Sequence, residues 1–222
     1  MRLFSKKIFQ NCHYIAVSQS FLNAEKNWFD PSYLQRGTPQ QVSAYAVLMR
    51  FQLLAHLSAF RPVLAGTIPI GVDLPQSDLD LLCEVYDFPA FQSPIREHFG
   101  DFAGFRIWEG WQQRLPSCLI SFQLDTWPIE IFGQARPVEE QYAFRHMLVE
   151  NRLLQLGGDS MRRGIRLLKS QGHKTEPAFA QLLGLEGDPY EALLLMEEWS
   201  DEQMEAHLKR NSGHFGTSRN DR

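Results

Sequence analysis

An α+β protein, with a mixed β-sheet and flanking helices followed by an all-helical lobe, is predicted from three features of the sequence. Short apolar runs of strand length, Val63-Leu64-Ala65 and Leu79 to Val85 among them, are confined to the first 134 residues. The segment Thr38-Pro39-Gln40-Gln41 carries the cap, proline and reciprocal glutamine of a helix start directly ahead of those strands. From Pro137 onward every apolar period is helical.

Taken in order, residues 1–30 form an N-terminal extension without clear periodicity. Asp30-Pro31 opens a short helix that Gly37 stops. The helix begun at Thr38 is expected to run to about Ala59, with Val42, Tyr45, Met49, Leu53 and Leu57 along its buried stripe. Strands follow at 62–66 and 78–85, joined by a short loop. Asp87 caps a helix over 88–99 that Gly100 ends. Further strands are read at 105–108 and 117–124, the latter continuing across Pro128 to Phe132. Helices are then expected at 138–156, 160–171, 176–183, 189–199 and 201–210, and residues 211–222 read as a mobile tail. The boundary between an α/β lobe at 31–134 and the helical lobe at 135–210 falls near Gln134.

The chain has 222 residues, 44% of them hydrophobic, enough for one sizeable core and a small second lobe. No apolar run reaches the length of a membrane span, and the charged start lacks a signal-peptide core, so a cytoplasmic location without membrane contact is expected. Cys12, Cys83 and Cys118 are odd in number and widely spaced, which indicates neither a disulfide framework nor a zinc site. A net charge of -4 argues against a broad basic surface for nucleic acid.

The chemistry concentrates around Gly66-Thr67 and Ser77-Asp78-Leu79-Asp80. In an extended strand, side chains two apart point the same way, so Asp78 and Asp80 would present their carboxylates on one face. Two like charges held so close call for a cation, and Mg²⁺ is the hard cation that suits carboxylates and substrate phosphates together. Glu130, between Ile129 and Ile131, is an acid in an apolar strand and needs such compensation. Asp125 competes for that role, but Asp125-Thr126-Trp127-Pro128 reads as a turn. Asp73 reads as a solvated loop acid, and His146 as a structural histidine.

An apolar run, a Gly-Thr corner, about ten residues and then Asp-Leu-Asp resembles the nucleotidyltransferase superfamily typified by DNA polymerase beta, in which the corner usually carries serine in place of Thr67. The longer wording, Gly-Thr-Ile-Pro-Ile-Gly at 66–71, Ser-Asp-Leu-Asp-Leu at 77–81 and Pro-Ile-Glu-Ile-Phe-Gly-Gln at 128–134, is similar to a domain-of-unknown-function family of small stand-alone bacterial nucleotidyltransferase-like proteins. This resemblance spans about Tyr33 to Trp199. It implies that Asp78, Asp80 and Glu130 are catalytic and hold Mg²⁺, with Mn²⁺ as the alternative, and that Gly66, Thr67 and Ser77 contact the phosphates of a nucleoside triphosphate. The family's third carboxylate is more often aspartate than glutamate.

In the helical lobe, Arg162, Arg166 and Lys169 share a face by spacing and, with Lys174, are expected to grip the triphosphate. A solvated or salt-bridged face, with Glu150 as partner, is the alternative. The predicted activity is transfer of a nucleoside monophosphate to an acceptor that the sequence leaves open among small molecules, proteins and RNA. A non-catalytic nucleotide-sensing module of the same fold and a metal-dependent nucleotide hydrolase are the rival readings. The sequence leaves the oligomeric state open.

Overall fold

The computed structural model describes residues 26–211. The N-terminal extension up to residue 25, with Cys12, and the tail from residue 212 lie outside that range. A 3₁₀ helix, Pro31–Arg36, starts at Asp30, whose carboxylate accepts from Ser32 N. Helix α1, Pro39–Arg50, begins in a complete capping box between Thr38 and Gln41. It ends eight or nine residues before the expected point, because Gln52 takes a left-handed conformation (φ 50°) and only the four-residue α2, Leu53–His56, follows. The buried face is also offset from the predicted stripe. Gln41, Ala44, Val47 and Leu48 point inward, whereas Val42 and Met49 are exposed.

Five strands make one mixed sheet in the order β1-β2-β5-β4-β3: β1 Val63–Ala65, β2 Leu79–Glu84, β3 Arg106–Gln112, β4 Leu115–Leu124 and β5 Trp127–Gln134. β2 and β5 run parallel, and the other pairs are antiparallel. The apolar stretch across Pro128 is therefore two strands rather than one. Asp125, at φ 49°, and Thr126 turn the chain between them, so that Leu124 faces Trp127. The expected loop after β1 contains a four-residue helix α3, Thr67–Ile70.

Alternation along the strands assigns each face. Leu64, Leu79, Leu81, Cys83, Ile120, Phe122, Ile129 and Ile131 pack with α1, α2 and α4 (Phe88–Phe99) in one core. Val63, Ala65 and Leu82 lie on the other face and join a second core made by the helical lobe. That lobe comprises α5 Tyr142–Ser170, α6 Thr175–Leu183, α7 Pro189–Leu195 and α8 Asp201–Arg210. The two helices expected over 138–171 form one element that Gly158 kinks at φ 62° and ψ -156°, a conformation suited to glycine. Cys83 and Cys118 are buried free thiols. No helix among the described residues is long and apolar enough to cross a membrane.

Candidate active site

On the sheet's second face, the one that carries Val63, Ala65 and Leu82, stand Asp80 and Glu130. These two residues are direct partners across the parallel β2–β5 pair. Asp78 immediately precedes β2, and one carboxylate oxygen from each of Asp78, Asp80 and Glu130 lies within 4.8 Å of the others. Asp125 is remote from this group. It sits in the β4–β5 turn and pairs with Arg50 at 2.8 Å on the surface.

The electrostatics follow from this convergence. Burial, then Asp78 and then Glu130 push the Asp80 carboxyl up to about 8. Burial and Asp78 also raise Glu130. Three half-buried carboxylates with mutually close oxygens form an all-oxygen donor set, which fits a hard divalent cation. Gly66 supports the arrangement by leaving room. Its φ is 74°, and a Cβ there would lie 2.2 Å from Asp80 Oδ2. Thr67 Oγ1 is 3.5 Å from Ser77 Oγ, which accepts the Leu74 N–H at 2.9 Å and closes the 67–77 loop.

These residues form the floor of a cleft of about 570 Å³ between the sheet and the helical lobe. Lys169 and Lys174 are on its helical wall, as are His146, Glu150 and Glu176. Arg162 and Arg166 are not brought into the lining. The short α3 ends with carbonyls that no further helical turn satisfies, and donors from elsewhere serve them and the turn beyond. Gln41 donates to Ile68 O, Lys26 to Pro69 O, Arg162 to Ile70 O and Lys169 to Val72 O. Arg166 Nη2 is 3.6 Å from the Asp73 carboxylate, which is 7% exposed and so is a buried partner rather than a solvated loop acid. The basic face of α5 thus braces the loop, and Lys169 both braces it and reaches the cleft. Burial lowers the Lys169 pKa, while Glu150 and Asp73 act against that shift.

His146 is 4% exposed, and its Nε2 donates to Tyr190 O at 2.9 Å, so its ring is anchored structurally at the edge of the cleft. Glu150 and Glu176 were not anticipated at the site. For Glu150 a signal was present: it occupies an inward position on a helix whose neighbouring inward residues are Met147, Leu153 and Leu154. An acid there has the same meaning as Glu130 between two isoleucines.

The family model named Domain of unknown function (DUF4269) matches residues 46–196. The chain belongs to that family. No curated protein matches it. Among solved structures, the Cid1 poly(U) polymerase bound to MgGTP is similar at 14% identity and a TM-score of 0.46, over 75% of this chain and 54% of that one. Cid1 with its short product ApU gives 15% identity and a TM-score of 0.45, over 80% and 54%. A cytoplasmic RNA terminal U-transferase gives 16% identity and a TM-score of 0.44, over 75% and 51%. The DUF4269 chain spans about half the length of each.

Proposed function

We propose that this DUF4269 protein is a metal-dependent nucleotidyltransferase that moves a nucleoside monophosphate from a nucleoside triphosphate to an acceptor hydroxyl. The observation that carries the reading is the convergence of Asp78, Asp80 and Glu130 on the floor of a cleft whose opposite wall presents lysines. Divalent ions held by the three carboxylates, Mg²⁺ first and Mn²⁺ as the alternative, would neutralise phosphate charge for an in-line displacement.

The chain's own residues have distinct tasks in this reaction. Lys169 and Lys174 bind the triphosphate from the helical wall, where charge-assisted hydrogen bonds hold phosphate oxygens. Gly66, Thr67 and Ser77 form the corner against which a phosphate can rest, because Thr67 and Ser77 offer hydroxyls beside the Asp80 carboxylate that occupies the space at Gly66. Arg162 and Arg166 keep that corner in place through Ile70 and Asp73. The acceptor oxygen bonds to the α-phosphorus, the bond from that phosphorus to the bridging oxygen breaks, and pyrophosphate leaves with the electron pair. Glu130, the third carboxylate of the floor, takes the acceptor's proton.

The test is incubation of the purified protein with each nucleoside triphosphate and Mg²⁺, with acceptor pools supplied from a cell extract. Pyrophosphate release, together with transfer of α-phosphate label to an acceptor, is the expected result. Release of inorganic phosphate alone would replace transfer by hydrolysis. Nucleotide binding without turnover in every pool would make the protein a sensing module.

A further inference from the structure

The cleft continues outward into a second chamber of about 380 Å³, bordered by Tyr142, Glu176, Asp188, Tyr190 and Glu191, with no lysine or arginine among the described residues of its lining. The inner cleft is acidic as well, with Asp78, Asp80, Glu130, Glu150 and Glu176 set against Lys169 and Lys174. Bound divalent ions and a triphosphate would offset the charges on the floor, leaving the acids of the helical wall and the outer chamber. Asp188 is engaged there in capping α7, accepting from Tyr190 N and Glu191 N. Glu176 makes only a 3.9 Å approach to His146 Nδ1. Glu150 is the decisive observation. It is 3% exposed and lines the cleft, yet among the described residues it makes no hydrogen bond and no ion pair within 4 Å. A buried carboxyl is costly without a hydrogen-bonded partner, and this one, with the Lys169 charge acting on it only from beyond 4 Å, lines the space a ligand would enter.

Resting on the nucleotidyltransferase reading, we propose that the acceptor, a small hydroxylated amine, spans the outer chamber and the adjoining helical wall of the cleft, which share Tyr142, His146 and Glu176. Its ammonium groups pair with Glu176 and Glu150, and its hydroxyl is directed to the Asp78, Asp80 and Glu130 floor. The chamber's size suits a small molecule, within the range of about 300–1,000 Å³ usual for small-ligand sites. Tyr190 borders the chamber with an aromatic ring, a group that attracts cations, whereas the Tyr142 ring already carries Arg145 at 5.7 Å from its centre. A single-stranded nucleic acid would instead need a positively charged groove along its backbone, and this mouth has the opposite sign. The transfer step remains as written above: the amine binds and the hydroxyl reacts.

Calorimetry on the full chain, saturated with Mg²⁺ and a non-hydrolysable nucleoside triphosphate analogue, tests this inference. D-glucosamine and ethanolamine are the hydroxylated cationic probes, D-glucose is the uncharged counterpart of the first, and a short single-stranded oligoribonucleotide is the polyanionic rival. At least one amine should bind, with D-glucose about tenfold or more weaker than D-glucosamine if the sugar fits. Glu176→Gln and Glu150→Gln should each weaken the amine by about tenfold, the scale of one charge-assisted bond, with nucleotide affinity retained. If burial makes Glu150→Gln unfold, Glu176→Gln alone decides. Failure of both amines, undiminished amine binding to Glu176→Gln, or tighter binding of the oligoribonucleotide would overturn the proposal. Amine failure with nucleotidyl transfer intact removes only this inference. Amine binding without Mg²⁺-dependent nucleotide binding removes the transferase reading and leaves a cation site.

Discussion

Gly66 and Asp80 pack so closely that a Cβ on residue 66 would lie 2.2 Å from Asp80 Oδ2. The corner that begins the 67–77 loop and the second strand's carboxylate are therefore one device. Gly66→Ala has to displace the Asp80 side chain, and it also places alanine at a φ of 74°. The expected cost is about 1–3 kcal/mol of stability, read by denaturant unfolding. Stabilisation by Mn²⁺ or Mg²⁺ with nucleotide should be lost at the same time. A variant with wild-type metal response would dissociate Gly66 from the site.

Asp80 gives the site a pH dependence whose sign follows from its shift. Its folded pKa is about 8 against an ordinary 3.8, so between those values the unfolded chain holds fewer protons at this position than the folded one. Its contribution to stability is full below the lower value and is lost as pH rises through the upper one. Without metal, wild type should lose stability relative to Asp80→Asn as pH rises from about 4 to 8. With metal, which binds the deprotonated form, the increase in melting temperature should grow over the same window. A wild-type minus Asp80→Asn difference that is flat with pH would contradict the assignment.

Glu130 and Asp125 are separated by the β5 register, and their substitutions should separate as well. Glu130→Gln removes a member of the carboxylate triad and the proton acceptor, and should lower turnover by about 100-fold or more. Asp125→Asn cuts only a surface pair whose Arg50 side chain is 69% exposed, so stability should change by less than about 1 kcal/mol and turnover should not change. Equal losses in the two variants would reassign the third carboxylate.

The legibility of this site differed by residue. Alternation along 79–85 and 129–132 places Asp80 and Glu130 opposite their apolar neighbours, and it carries that assignment whatever strand order is assumed. Their pairing across parallel strands is a register, fixed by how the whole sheet assembles. Asp78 lies just before β2, so its approach comes from the loop closure rather than from strand alternation. The buried face of α1 differs from the predicted stripe because Leu53 and Leu57, which belong to that stripe, lie beyond the left-handed turn at Gln52. The arginines differ from their expected place for another reason: helical spacing shows that Arg162, Arg166 and Lys169 share a side, but Arg162 is claimed by Ile70 O at the end of α3, a helix invisible in the sequence pattern, and Arg166 by the Asp73 carboxylate just beyond it.

Arg166 should act through Asp73. The carboxylate is buried and one of its oxygens has no hydrogen bond in the structure, so the guanidinium at 3.6 Å is its main compensation. Arg166→Met should destabilise by about 1–3 kcal/mol, the cost of leaving a buried polar group without its partner. Adding Asp73→Asn should recover part of that loss, because the double variant no longer carries the uncompensated charge. Additive effects of the two substitutions would mean that the residues are not coupled.

Lys169 reaches both the loop and the cleft, and its substitution has to be separated from simple loosening of the loop. Its Nζ donates to Val72 O at 3.0 Å, and its side chain lines the cleft opposite the carboxylates. Lys169→Ala should weaken nucleoside triphosphate binding by about tenfold, corresponding to one charge-assisted bond, and should reduce the salt dependence of that binding. Arg162→Ala is the control. It removes the donor to Ile70 O on the same loop but no residue of the cleft lining, so it should lower thermal stability and weaken the nucleotide clearly less than Lys169→Ala does. The pH profile adds a second readout. Because burial lowers the Lys169 pKa, the ammonium is lost at a lower pH than for an exposed lysine, and wild-type affinity should fall on the alkaline side where Lys169→Ala is already flat. Calorimetric titrations at two salt concentrations and across alkaline pH measure all three effects. If Arg162→Ala and Lys169→Ala weaken the nucleotide equally, the loss arises from the loop and Lys169 is a brace without phosphate contact.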